Sequence, residues 1–125
     1  MSLGIIGHPF LYFSLDGDRS LSKRENAFQA KLISDLKDIF PGCVILKNDP
    51  NYLQGVPDIL ILYNDRWAML ECKRDAKASH RPNQEYYIDK LGEMSYAAFI
   101  YPENREDILD ELQHALGVRG TACVS

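Results

Sequence analysis

Two apolar runs joined by a short polar link constrain this chain more than any other feature. Asp58-Ile59-Leu60-Ile61-Leu62-Tyr63 and Trp67-Ala68-Met69-Leu70-Glu71-Cys72-Lys73 flank Asn64-Asp65-Arg66. Each run is the length of a strand rather than a helix, and the link is a tight hairpin connection. Both are apolar at successive positions, so both are expected to be central strands covered by helices on two sides. With Asn64-Asp65 as a two-residue turn, Tyr63 faces Arg66 and opposed residue numbers sum to 129, as 58 and 71 do. A four-residue loop keeps that register; an odd loop needs a bulge to restore it. Asp58 and Glu71 are therefore expected directly opposite each other, with Cβ atoms about 4.5–5.5 Å apart.

The other elements follow from periodicity. Phe28, Leu32, Leu36 and Ile39 recur at helical spacing, behind a capping-box pattern of Ser22 and Glu25. Pro41-Gly42 stops that helix at about Phe40. Upstream, Leu11 to Leu15 reads as a short strand ended by Asp16-Gly17-Asp18. Cys43 to Lys47 reads as a strand, followed by the turn formers Asn48-Asp49-Pro50-Asn51. A second helix is expected from Pro82, at a favoured first-turn position, to about Met94. A strand over 97–101 and an amphipathic helix over 104–116, ended by Gly117, complete the order. Helix, three strands, helix, strand, helix predicts an α/β sandwich around a mixed sheet, in a single domain of 1–125. Its core spans about 22–101, with 1–21 as an N-terminal extension.

Composition bounds the partners. The net charge of -4 is concentrated: Glu103, Glu106, Asp107, Asp110 and Glu111 against Arg105 make -4 within 103–116, and the remainder is neutral. Within that remainder, Lys73, Arg74, Lys77 and Arg81 against Asp75 make a local +3. Such a stretch is ordinarily a solvated loop, and its meaning depends on what lies beside it. The three cysteines, Cys43, Cys72 and Cys123, and the histidines His8, His80 and His114 have no ligand spacing. They predict neither a disulfide framework nor a zinc site, and they fit a reducing, cytoplasmic setting. No run of about 18 apolar residues exists, and the first residues lack a signal peptide's pattern, so neither membrane nor export is expected.

Two like charges opposed on apolar strands are destabilising unless compensated, and a divalent cation is the natural compensation. Lys73, two residues beyond Glu71, points to the same face. Beside a scissile phosphate, an ammonium there can orient the attacking water and neutralise developing negative charge. The plain alternative has Asp58 ending a strand after Pro57, and Glu71 and Lys73 pairing with each other or with Arg74 on a solvated rim. It explains poorly why both acids share one face and one cross-strand position. Glu25 is either a capping-box glutamate or an outer metal ligand, direct or through water. Gln84 is either a rim residue or an amide that binds the attacking water or a phosphate oxygen.

Gly55-Val56-Pro57-Asp58, twelve residues, then Glu71-Cys72-Lys73 resembles the signature of the PD-(D/E)XK nuclease superfamily. With Glu25 upstream on a helix and Gln84 downstream after Ser79, the chain most resembles the VRR-NUC branch, related to phage junction-resolving endonucleases. The resemblance covers roughly residues 22 to 101. It implies a restriction-endonuclease-like α-β-β-β-α-β core. It also implies Mg²⁺ or Mn²⁺ held at Asp58, Glu71 and the Cys72 backbone carbonyl, with Glu25 nearby. Lys73 would be the catalytic lysine and Gln84 the motif glutamine. Small relatives of this kind tend to be homodimers acting on branched DNA such as four-way (Holliday) junctions. Lys23, Arg24, Arg74, Lys77 and Arg81 are then the candidate phosphate contacts, and no organic cofactor is expected. A restriction-like or single-strand nuclease of the same fold, and a catalytically silent nucleic-acid-binding module, remain open alternatives.

Overall fold

In the computed structural model, residues 9–118 are described in backbone and residues 23–118 in side chains; His8 and Cys123 lie outside them. The elements are α1 (Pro9–Ile39), β1 (Val44–Lys47), β2 (Ile59–Tyr63), β3 (Arg66–Cys72), α2 (Gln84–Met94), β4 (Tyr96–Ile100) and α3 (Arg105–Leu116), the last preceded by a 3₁₀ turn, Pro102–Asn104. They form an α/β fold with one four-stranded mixed sheet in the order β1-β2-β3-β4. The β1/β2 and β2/β3 pairs are antiparallel, and β3/β4 is parallel, bridged by the crossover through α2.

Alternation along the strands gives the sheet two unlike faces. Ile59, Ile61, Ala68, Leu70, Cys72 and Ile100 point to one face, where they meet Leu32, Leu36 and Phe40 of α1 and Ile108, Leu109, Leu112 and Leu116 of α3. Each large side chain so buried stabilises the fold by roughly 1.5–3 kcal/mol. The opposite face carries Asp58, Leu60, Leu62, Trp67, Met69, Glu71 and Lys73, and α2 covers only its β3/β4 side. Over β1 and β2 that face stays open: Val44 is 51% exposed and Leu46 47%. Helices thus flank both faces as expected, but the cover on the second face is partial. An apolar run records that neither face is polar, not that both are covered.

Three expectations are corrected. The segment from Leu11 to Leu15 and the turn at Asp16-Gly17-Asp18 are helical backbone within α1, which is 31 residues long, roughly 46 Å. No break falls at residue 22, so the expected N-terminal extension is helical from Pro9 onward. Once a helix is nucleated, each added residue costs little, and a single internal glycine costs only about 1 kcal/mol against alanine. Ser22 and Glu25 lie inside this helix, so no capping box exists there. Pro82 precedes the second helix rather than opening it. Asn83 is the N-cap in a left-handed conformation, φ 69°, and the first intrahelical bond runs from the Tyr87 N–H to the Asn83 carbonyl. Gly117 caps α3 with φ 80°, as expected.

Candidate active site

The hairpin aligns the two acids. Asn64 takes the positive φ, 55°, that a two-residue hairpin turn requires, and the ladder runs from Tyr63 opposite Arg66 to Ile59 opposite Leu70. One step further lie Asp58 and Glu71, where side chains replace the ladder. The Asp58 N–H donates to Glu71 Oε1 (3.1 Å), and the Cys72 N–H donates to Asp58 Oδ2 (2.8 Å). Each carboxylate thus accepts an amide from the other's strand. Asn48 steadies the entry to β2: its N–H donates to the Asp58 carbonyl, and its Nδ2 to the Pro57 carbonyl, each at 2.9 Å.

Glu71, Lys73 and Gln84 are the buried polar side chains among the described residues, at 4%, 5% and 7% exposure. Gln84 joins the other two. Its Nε2 donates to Glu71 Oε2 (2.8 Å), while its Oε1 accepts from Lys73 Nζ (2.7 Å) and from the Arg81 N–H (2.8 Å). Two donors on one end of the amide fix which end is oxygen. Lys73 Nζ also donates to the Ser79 carbonyl (3.1 Å) and stands 3.8 Å from Glu71 Oε2. Among the described residues no buried side-chain nitrogen or oxygen lacks a partner.

Burial, the charge of Asp58 and the nearby charge of Glu25 together push the Glu71 carboxyl up to about 8, against the opposing pull of Lys73. Burial also raises Asp58, with Glu25 adding to the rise and the Cys72 N–H, Lys73 and Arg81 opposing it. The Cys72 thiol, buried beside the two acids, is raised far above the usual thiol range and is no nucleophile at neutral pH. Glu25 therefore reaches the acids as a charge from the middle of α1. Among the described residues no three His, Cys, Asp or Glu side chains are grouped to hold a metal ion. The side-chain donors at the centre are the two opposed carboxylates.

These groups floor a cleft of about 680 Å³. Arg74, Ser79, Arg81 and Pro82 form one wall, and Pro50, Asn51, Gln54, Gly55 and Val56 the other, with Glu25 at the α1 side. Of the five basic residues expected to contact phosphates, Arg74 and Arg81 line the cleft; Lys23, Arg24 and Lys77 are exposed and lie outside its lining. The first wall is pinned by His80, whose ring stacks on Phe99 at 4.0 Å and whose Nδ1 is 2.8 Å from Glu85 Oε2. Asn48, Asn51 and Gln54 escaped the sequence reading. They sit in a polar loop without periodicity, and only the turn-forming run Asn48-Asp49-Pro50-Asn51 was visible.

The two walls touch where Gly55, at φ 92°, packs on Asn83. A Cβ there would stand 2.6 Å from the Asn83 Cβ and 2.7 Å from its carbonyl carbon. Gly55→Ala meets both the clash and a disfavoured dihedral, and is expected to destabilise the protein by about 1–3 kcal/mol. Urea unfolding of the two proteins checks this, and an unchanged midpoint would remove Gly55 from the account.

A buried and a half-buried acid, a lysine and an amide at the base of a cleft rimmed by arginines can bind a cation and a phosphodiester and can place a water between them. Comparison with protein-family models, with curated proteins and with solved structures finds no match to this chain.

Proposed function

We propose that the chain is a metal-dependent endonuclease of the PD-(D/E)XK type, of VRR-NUC character, hydrolysing phosphodiester bonds in branched DNA. The observation that carries this reading is the buried set Glu71, Gln84 and Lys73, with half-buried Asp58 opposite Glu71, at the floor of an arginine-rimmed cleft. The element order from α1 through β4 is compatible with a restriction-endonuclease-like core. The donors fit a hard divalent cation. Asp58 and Glu71 oppose each other in a desolvated place where burial raises the proton affinity of both and the charge of Asp58 raises that of Glu71 further, and Mg²⁺ is commonly held by one or two carboxylates plus waters. Asp58, Glu71 and the Cys72 carbonyl would hold Mg²⁺ or Mn²⁺, with Glu25 acting through water. Bound there, the cation supplies Lewis-acid stabilisation of the phosphate's developing charge.

The chain's own groups do the remainder. Lys73 has three N–H donors, and Gln84 and Ser79 take two of them. The third serves the scissile phosphate or the attacking water. Gln84 holds the lysine and the acid at fixed separation. Arg74 and Arg81 contact the flanking phosphates. Water adds to phosphorus as the bond to one bridging oxygen breaks, leaving a phosphate end and a hydroxyl end. The proposed assembly is a homodimer, with the open apolar face over β1 and β2 as surface available for it.

One observation favours a second reading, a binding module without chemistry: every buried side-chain nitrogen and oxygen among the described residues already has a hydrogen-bond partner within the protein. The deciding experiment is cleavage of a labelled four-way junction beside matched duplex and single strand. It is run with Mg²⁺, with Mn²⁺ and with chelator. The expected result is metal-dependent cutting of the junction. Cutting of every substrate keeps the nuclease and discards the selectivity for branches. No cutting by folded protein would favour the binding module.

A further inference from the structure

The wall of the cleft formed by residues 48–57 carries a feature that the reaction at its floor does not use. Tyr52, at its outer turn, is 88% exposed, the most exposed large apolar or aromatic side chain among the described residues. The loop holding it is nonetheless well tied. The Asn51 N–H donates to Asp49 Oδ1 (2.8 Å), the Tyr52 N–H to the Asp49 carbonyl (3.1 Å) and the Val56 N–H to the Leu53 carbonyl (3.2 Å). Gly55 seats the far end on Asn83, and Asn48 ties the near end to Pro57 and Asp58. Pro50, Asn51 and Gln54, on either side of Tyr52 in sequence, line the cleft.

A ring displayed on a tied loop beside a phosphodiester site has one obvious chemical counterpart. Aromatic side chains bind nucleobases by stacking, which tolerates any sequence because every base has a π-face. Tyrosine does so at low entropic cost, having only two side-chain torsions to fix. Inside a continuous duplex, neighbouring base pairs cover those faces. They are open only where a base is unpaired, as at a branch point or in a single strand. A phosphate at Asp58, Glu71 and Lys73 would leave the adjoining nucleotide against the loop that carries Tyr52.

We infer that Tyr52 stacks on an unpaired base adjoining the scissile phosphate, which makes it the residue that selects interrupted DNA over continuous duplex. This rests on the nuclease reading and adds to it a specificity determinant outside the catalytic set. Leu53, 38% exposed beside it, extends the apolar contact.

The test uses a branched DNA with 2-aminopurine at the unpaired position flanking the cut, and the parent, Tyr52→Ala and Tyr52→Phe proteins. Bound without cleavage in chelator, the parent and Tyr52→Phe should quench the 2-aminopurine and Tyr52→Ala should not. With Mg²⁺, Tyr52→Ala should cut the branched substrate roughly tenfold or more slowly, while Tyr52→Phe cuts as the parent does. Equal fluorescence with all three proteins would overturn the inference. So would a Tyr52→Phe protein as slow as Tyr52→Ala, which would assign the effect to the hydroxyl. A Tyr52→Ala protein that sediments as a smaller species than the parent would also overturn it, by giving the ring to a second copy. Quenching by a parent protein that cuts nothing would keep Tyr52 and discard the nuclease.

Discussion

Asp58→Asn is expected to give a folded protein that cuts DNA roughly 10³-fold more slowly than the parent, the equivalent of losing several kcal/mol of transition-state stabilisation. Asparagine is the right replacement because Asp58 Oδ2 accepts the Cys72 N–H at 2.8 Å. Alanine would orphan that amide and confuse a lost ligand with a lost hydrogen bond, whereas the asparagine carbonyl can keep it. Removing one of two mutually repelling carboxylates also relieves strain, so the variant should unfold at a higher temperature than the metal-free parent. Single-turnover cleavage and thermal unfolding of the same samples read both effects. Parent-like cleavage by Asp58→Asn would remove the acid pair from the chemistry.

Without metal, the protein should lose stability as pH rises from about 5 to 8, and Glu71→Gln should remove much of that loss. The sign follows from the direction of the shift. Glu71 stands near 8 in the folded protein against an ordinary value of 4.5, so folding takes up a proton on this group. Its favourable contribution is complete below the ordinary value and fades as pH climbs to the folded one. Asp58 is also raised and acts in the same direction. At about 1.4 kcal/mol per tenfold change in proton affinity, the effect amounts to a few kcal/mol across the window, and near-complete burial of Glu71 leaves little solvent to screen it. Urea unfolding in chelator at several pH values, parent beside Glu71→Gln, measures it. Parallel curves would refute the assignment, whereas Mg²⁺ should bring the parent back toward the variant at pH 8.

The acid pair was legible because a two-residue turn leaves no freedom of register. Once Asn64-Asp65 is the turn, Asp58 must face Glu71, and alternation then puts Lys73 beside them. Gln84 was half legible: helical spacing gave the side it faces. Its two partners depend on how the loop of residues 74–83 folds back, which no periodicity encodes. The start of α1 was misread because Asp16-Gly17-Asp18 is a turn-forming triplet, and such triplets can be carried inside a long helix. Ser22 and Glu25 show the same ambiguity, since a cap pattern in mid-helix looks like one at its start. How little of the second face α2 covers was not legible, because Val44, Leu46 and Leu62 are apolar whether or not a helix covers them. The loop bearing Asn51, Tyr52 and Gln54 offered nothing but turn chemistry, so its place along the cleft came only from the folded chain.

The two unlike faces of the sheet have a consequence for how this sequence can drift. Along β2 and β3, inward residues such as Ile59, Ile61, Ala68 and Leu70 answer to packing, while their alternating neighbours, from Asp58 and Leu60 to Met69 and Glu71, answer to whatever occupies the cleft and the open surface. Tolerance to substitution should therefore alternate residue by residue in kind, not only in degree. One set should lower the amount of folded protein and leave each folded molecule competent. The other should leave abundance untouched and alter what the molecule does. A single hairpin would then hold two separable records of selection, interleaved at a period of two.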